Sequence, residues 1–129
     1  MRTRTIVAGA LLLIALAAAP GQPAARLHPL TVGWEQYFKL DWQVGERRGH
    51  PVVYGHIFNN AGFVASRVRL LVEGVDDKGE VMSQRIDWLG PQLTPGTTAP
   101  FEVAAAERAP TYRVSVFAFD WVQRGKGPR

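Results

Sequence analysis

Histidines and carboxylates are the side chains of this sequence with the most reactive chemistry. His28, His50 and His56 stand at spacings that match no metal-binding motif, and the chain has no cysteine. Zinc sites need several convergent ligands with supporting hydrogen bonds, and disulfides and thiol catalysis need cysteine. We therefore predict two solvated histidines and one strand histidine, with no metal ion and no cofactor.

The carboxylates suggest binding or catalysis only weakly. Asp76, Asp77 and Glu80 lack the alternate acidic or amide positions and the distant Glu of a calcium loop, so we interpret them as a polar hairpin turn. A catalytic carboxylate on a strand would face a cleft and so interrupt an apolar row, and only Asp87 and Asp120 could do so. Nucleophile motifs and phosphate-binding glycine loops are absent, and the sequence therefore predicts a protein that is not an enzyme.

An aromatic row near the end of the chain is the best candidate for a binding surface. Phe117, Phe119 and Trp121 alternate on a predicted strand whose other face is already apolar. If the row is exposed, it forms the kind of apolar patch that marks partner sites. The alternative is that the first predicted strand, which carries Trp34, Phe38 and Trp42, covers it.

The first residues have the order of a secretory signal peptide. Arg2 and Arg4 precede an apolar run over residues 6–19, and small residues follow. Fourteen helical residues rise only about 21 Å, which is short of the roughly 30 Å of a membrane core. We expect cleavage after Ala17 or Ala18, because Pro20 disfavours a cut directly before it. An uncleaved anchor is the alternative.

The charge of the exported part is nearly balanced. Without the two leader arginines, 13 Lys and Arg oppose 11 Asp and Glu, and they are interspersed except at Arg47-Arg48 and in the tail. A nucleic-acid binder usually has a clustered basic face, so we predict no nucleic-acid partner. With 47% apolar and 20% charged residues, the chain after the leader has the composition of one folded domain.

Period-two alternation of apolar residues predicts an all-β fold. Breakers such as Gly45, Gly79 and Pro95 separate the runs, and no βαβ pattern occurs. The predicted strands cover residues 32–44, 52–59, 64–75, 80–88, 100–103 and 111–122. We predict an immunoglobulin- or fibronectin-like β-sandwich of about six to seven antiparallel strands, preceded by the signal-peptide helix.

This pattern divides the chain into three parts. Residues 1–25 are predicted as signal peptide and short linker, residues 26–123 as the β-sandwich domain, and residues 124–129 as a flexible basic tail. Residues 104–109 are the only helix candidate after the leader, and they are too few for a stable isolated helix.

Several short motifs of the sandwich resemble a known family. The motifs are Gly55-x-Ile57-x-Asn59, the alternating strand over residues 68–72, Asp76-x-x-Gly79, Leu93-x-Pro95-Gly96, Phe101-x-Val103 and Tyr112-Arg-Val-Ser-Val116. Together they resemble the FxLYD domains, which are small exported bacterial immunoglobulin-like sandwiches. In the motif that names the family, Val72, Gly74 and Val75 stand where Phe, Leu and Tyr are expected, and only Asp76 agrees. The resemblance implies a fold and a compartment, and it implies no active-site residues.

These observations predict a non-enzymatic periplasmic or extracellular module, soluble after cleavage of the leader. We expect it to bind another cell-envelope protein or to act as a structural accessory. The alternative is a module that binds a glycan or an apolar small molecule through exposed aromatic residues.

Overall fold

The computed structural model of this chain describes residues 26–122, which form a β-sandwich of six antiparallel strands. The strands are β1 (Phe38–Arg47), β2 (His50–Asn59), β3 (Val64–Val75), β4 (Val81–Trp88), β5 (Thr98–Ala104) and β6 (Thr111–Val122). The first sheet has the order β1-β2-β5 and the second sheet the order β4-β3-β6. The predicted all-β sandwich is thus confirmed. The predicted leader lies outside the described residues.

A tight turn joins β1 and β2. Arg47 pairs with His50, and the two residues between them, Arg48 and Gly49, have φ angles of 54° and 81°. Two consecutive positive φ angles are the geometry of a type I′ hairpin turn, whose twist matches that of the strands it joins. The predicted loop over residues 45–51 is therefore shorter than expected, because both strands extend into it.

Gly55 allows β1 and β2 to approach each other closely. A Cβ atom on Gly55 would lie 1.9 Å from the carbonyl oxygen of Asp41 and 2.7 Å from the Cα of Trp42. Both neighbours are main-chain atoms, so a side chain at this position would separate the two strands.

The hairpin between β3 and β4 closes as the sequence predicts. One carboxylate oxygen of Asp76 accepts hydrogen bonds from the backbone N–H groups of Lys78 and Glu80, at 2.8 and 2.9 Å. Gly79, with φ of 84°, donates to the Asp76 carbonyl. Asp76 is therefore a turn residue, in agreement with the polar-turn interpretation.

The core lies between the two sheets and is built from alternate residues of the strands. Its members include Val53 and Ile57 of β2, Leu70 of β3 and Val116 of β6, none of them more than 1% exposed. Because period-two side chains of facing strands meet in the middle of a sandwich, the alternation in the sequence located these residues correctly.

The start of β1 differs from the sequence-based expectation. Residues 32–37 do not continue β1; Trp34–Gln36 forms a short 3-10 helix, preceded by Gly33 at a φ of 84°. Tyr37 and Phe38 are thereby turned towards the end of β6. The helix candidate of residues 104–109 contains no helix, as its length suggests: Ala104 ends β5, and an irregular connection follows.

Candidate binding surfaces

A β-bulge in β6 decides where the predicted aromatic row lies. Val116 pairs with Leu70 of β3 and Ala118 with the adjacent Arg69, so Phe117 is an additional residue on β6. An extra residue shifts the alternation of a strand by one position. The side chains of Phe119 and Trp121 consequently turn to the core side.

The two aromatic residues after the bulge belong to a cluster at one end of the core. Phe119 and Trp121 contact Phe38, with ring centroids 4.9 and 6.0 Å away, and Tyr37 lies 5.3 Å from Trp121. All three members of the predicted row are partly buried. Phe38 of the first predicted strand therefore covers part of the row, whereas Trp42 does not contribute to this cluster. Partner binding by the row stays a prediction.

The segment of residues 26–33 crosses the outer face of the second sheet. The backbone of Leu27 exchanges two hydrogen bonds with the side-chain amide of Gln84 on β4, at 3.0 and 2.9 Å. The Leu30 N–H donates to the Phe117 carbonyl at the bulge, at 2.8 Å. Between these anchor points Leu71, which points away from the core, is 0% exposed. The outer face of the second sheet is therefore largely covered.

A buried carboxylate that is paired with a half-exposed arginine lies beside the same segment. Glu73 is 6% exposed and accepts hydrogen bonds from Arg113 at 2.9 Å and from Gln84 at 2.8 Å. A cleft of about 290 Å³ beside it is bordered by His28 and Trp34. Since two donors already satisfy the carboxylate, we interpret Glu73 as a residue that fixes the sheet.

An open groove runs between β1 and the start of β6. Leu40, Trp42 and Val44 alternate on the core-facing side of β1, but only Leu40 packs against the core. Trp42 is 37% exposed and Val44 is 52% exposed. A cleft of about 240 Å³ next to Val44 is lined by Pro51, Arg108, Ala109 and Tyr112. The sequence predicted both apolar residues as inward-facing, and it could not indicate that residues 26–122 would leave them partly exposed.

Among residues 26–122, the edge of β1 is also open along its main chain. In the first sheet β1 is the outermost described strand and pairs only with β2. Arg108 closes one end of the groove by donating to Glu46 and to the Gly49 carbonyl, both at 2.8 Å. Open strand edges with apolar neighbours are sites where another extended chain can pair.

The outer face of the first sheet carries a second candidate surface, centred on Tyr54. Tyr54 pairs with Gln43 of β1 and with Glu102 of β5, which places it in the middle of the three strands. Tyr54 is 40% exposed, and its hydroxyl donates to the Gln43 side chain at 3.0 Å. A Cβ on Gly45 would lie 3.1 Å from Cε1 of the ring, so the missing side chain leaves room for this edge of the ring.

An ion pair lies on one side of this ring and a histidine–carboxylate pair on the other. The Arg47 guanidinium donates two hydrogen bonds to the Glu102 carboxylate, and His56 Nδ1 lies 3.3 Å from an Asp41 carboxylate oxygen. The hydrogen bond from Arg47 lowers the pKa of Glu102 below its ordinary value and raises that of Arg47. The Arg47–Glu102 pair therefore stays charged until the pH falls through the lowered pKa of Glu102.

The remaining candidate residues are dispersed. His50 is exposed at the start of β2, and Asp120 forms an ion pair with Arg67 at 2.9 Å. Asp87 accepts a hydrogen bond from the N–H of Trp88. Within residues 26–122 no three His, Asp or Glu side chains are grouped closely enough to hold a metal ion. The same residues contain no helix that could span a membrane.

Comparison with known proteins adds no family to this geometry. The chain matches no protein-family model, no curated protein and no solved structure. The resemblance to FxLYD domains stays a prediction, and the two open surfaces of the sandwich are the observations from which a function can be argued.

Proposed function

We propose that this chain is an exported, FxLYD-like β-sandwich without enzymatic activity that binds another protein of the cell envelope. The proposed compartment is the periplasm or the extracellular space, as the signal-peptide pattern of residues 1–19 suggests. The observation that carries the proposal is the exposure of Trp42 and Val44 on the core-facing side of β1.

The proposed occupant of this groove is an extended segment of the partner. Trp42 and Val44 are two residues apart, so their side chains lie on the same face of the strand with a spacing of about 6.6 Å along it. If a partner segment pairs with the edge of β1, every second one of its side chains faces Trp42 and Val44, and these side chains have the same spacing. Main-chain hydrogen bonds would then supply affinity and the apolar contacts specificity.

The proposal is tested with a Trp42→Ser/Val44→Lys double variant in capture experiments from envelope extract. We expect the variant to lose the partner that the unchanged chain captures. Val32→Lys is the matched control, since Val32 is 97% exposed and lies outside the groove. Hydrogen exchange on the captured complex should show new protection of amides in β1.

Two results would contradict this proposal. The first is an identical set of captured proteins for the unchanged chain, the groove variant and the control. The second is a partner that leaves the exchange of β1 amides unchanged and protects another surface, such as the remaining exposed part of Phe117, Phe119 and Trp121.

A further inference from the structure

The outer face of the first sheet differs from every other large face of the described sandwich. The outer face of the second sheet is covered by residues 26–33, which leave Leu71 and Glu73 almost inaccessible. On the first sheet, the central Tyr54 and its neighbours His56 and Glu102 are exposed. As far as the described residues are concerned, a ligand can therefore reach this face without any rearrangement.

We infer that this face is a saccharide-binding platform on which Tyr54 stacks against a sugar ring. The platform is defined as Asp41, Gln43, Arg47, Tyr54, His56 and Glu102. This site is separate from the groove at Trp42 and Val44, which lies on the opposite side of β1, and it does not depend on the proposed protein partner.

The Tyr54 ring is held in place at two points. Its Cε1 edge lies where Gly45 lacks a side chain, 3.1 Å from the position of a Cβ, and its hydroxyl donates to Gln43. Because Tyr54 is 40% exposed, a ligand can reach part of this fixed ring. The face of an aromatic ring is electron-rich and attracts the weakly positive C–H groups on the flat side of a sugar.

Two depressions lie beside the ring, and Tyr54 lines both of them. The first, of about 320 Å³, is also lined by Arg47 and Glu102. The second, of about 400 Å³, is also lined by His56, Pro100 and Glu102. Volumes of this size lie at the lower end of those of ligand sites. Two adjacent depressions that share an aromatic ring fit consecutive units of a chain better than a single compact ligand.

The charge balance selects an uncharged saccharide. In the first depression Arg47 is paired with Glu102, and Glu46 is paired with Arg108. His56 and Glu102 line the second depression. Each depression therefore offers a donor and an acceptor close together, and its carboxylates are in ion pairs. A hydroxyl group both donates and accepts and can bond to either partner. A phosphate or carboxylate ligand would have to compete with Glu102 for Arg47.

Titration with neutral oligosaccharides tests the inference. The probes are cellotetraose, maltotetraose and N-acetylchitotetraose at millimolar concentration, and the readout is the set of backbone amide shifts together with the titrated affinity. We expect at least one probe to shift the amides of Tyr54, Gln43 and Glu102. Tyr54→Ala should weaken that binding by about tenfold or more, because the stacking surface is lost.

Matched variants distinguish stacking from an unspecific aromatic effect. Tyr54→Phe keeps the ring and should bind within roughly threefold of the unchanged chain, and Trp88→Ala removes an exposed aromatic on the second sheet and should change nothing. Glu102→Ala should weaken binding without disturbing the core. The inference is overturned if no probe shifts the platform amides, or if Trp88→Ala weakens binding as strongly as Tyr54→Ala.

Discussion

At the residue scale, Tyr112 and Asn59 belong to two of the short sequence motifs, and both form side-chain hydrogen bonds to the main chain of loops. The Tyr112 hydroxyl donates to the Glu107 carbonyl and accepts from the Ala109 N–H, at 2.9 and 2.8 Å. This is the tyrosine corner of immunoglobulin-like sandwiches. Asn59 is 0% exposed, and its side chain donates to the carbonyls of Phe63 and Leu93 and accepts from the Ala61 N–H. Both residues connect loops to strands.

Replacing Tyr112 by Phe should therefore destabilise the domain by about 1–3 kcal/mol, because two main-chain groups lose a partner. The matched control is Tyr54→Phe, because the Tyr54 hydroxyl donates to an exposed glutamine side chain. This variant should lower the free energy of unfolding by less than about 0.5 kcal/mol. Urea unfolding of the three proteins measures both values. Equal midpoints for the two variants would show that the corner does not contribute to stability.

At the scale of the element, the bulge in β6 determines which side chains of this strand face the core. Before the bulge, Val114 and Val116 face the core; after it, Phe119 and Trp121 do. Ala118 is 4% exposed although it lies outside the core cluster, because it points to the covered outer face. The additional residue on β6, together with one extra residue on β3 between Ser66 and Arg69, lets β6 contribute aliphatic residues to the middle of the core and aromatic residues to its end.

Deleting Phe117 should remove the bulge and turn Phe119 and Trp121 outwards. We expect a loss of about 3 kcal/mol or more, as for the loss of large core aromatics, together with a red shift of tryptophan fluorescence. Phe117→Ala keeps the extra residue and should be tolerated far better. A deletion variant as stable as Phe117→Ala would contradict the assigned register.

The whole molecule is a sandwich with unequal outer faces. Residues 26–33 cover the second sheet, where Leu71 and Ala118 would otherwise be exposed, while the first sheet keeps its polar outer face. An apolar residue on the outside of a sheet is stable only when another segment covers it. The short segment before β1 is therefore part of the domain and more than a linker.

Chains that begin at residue 24 and at residue 33 should differ in stability for this reason. The shorter chain exposes Leu71, and burial of one leucine is worth about 1.5–3 kcal/mol. Urea unfolding compares the two, with Val32→Ser in the longer chain as a control, because that side chain is 97% exposed and contributes little. Identical midpoints for the two chain lengths would show that the segment does not stabilise the sheet.

Much of this fold is predictable from the sequence, because alternation and turn chemistry are local properties. The strands β2 and β3 and the Asp76 turn were located correctly. The 3-10 helix at Trp34 was missed, since its apolar residues also satisfy a strand pattern. Neither candidate binding surface was identified, because Trp42, Val44 and Tyr54 are indistinguishable in sequence from covered strand residues.

The signal-peptide pattern, the absence of cysteine and the strand periodicity follow from the sequence alone. The tertiary structure decided which apolar residues are covered. Phe119 and Trp121 pack inwards because of a bulge that no residue type in the sequence indicates, and Leu71 is buried by a segment about 40 positions earlier in the chain. Periodicity assigns side chains to a face, but only the contacts between distant segments determine whether that face meets the core, another segment or water.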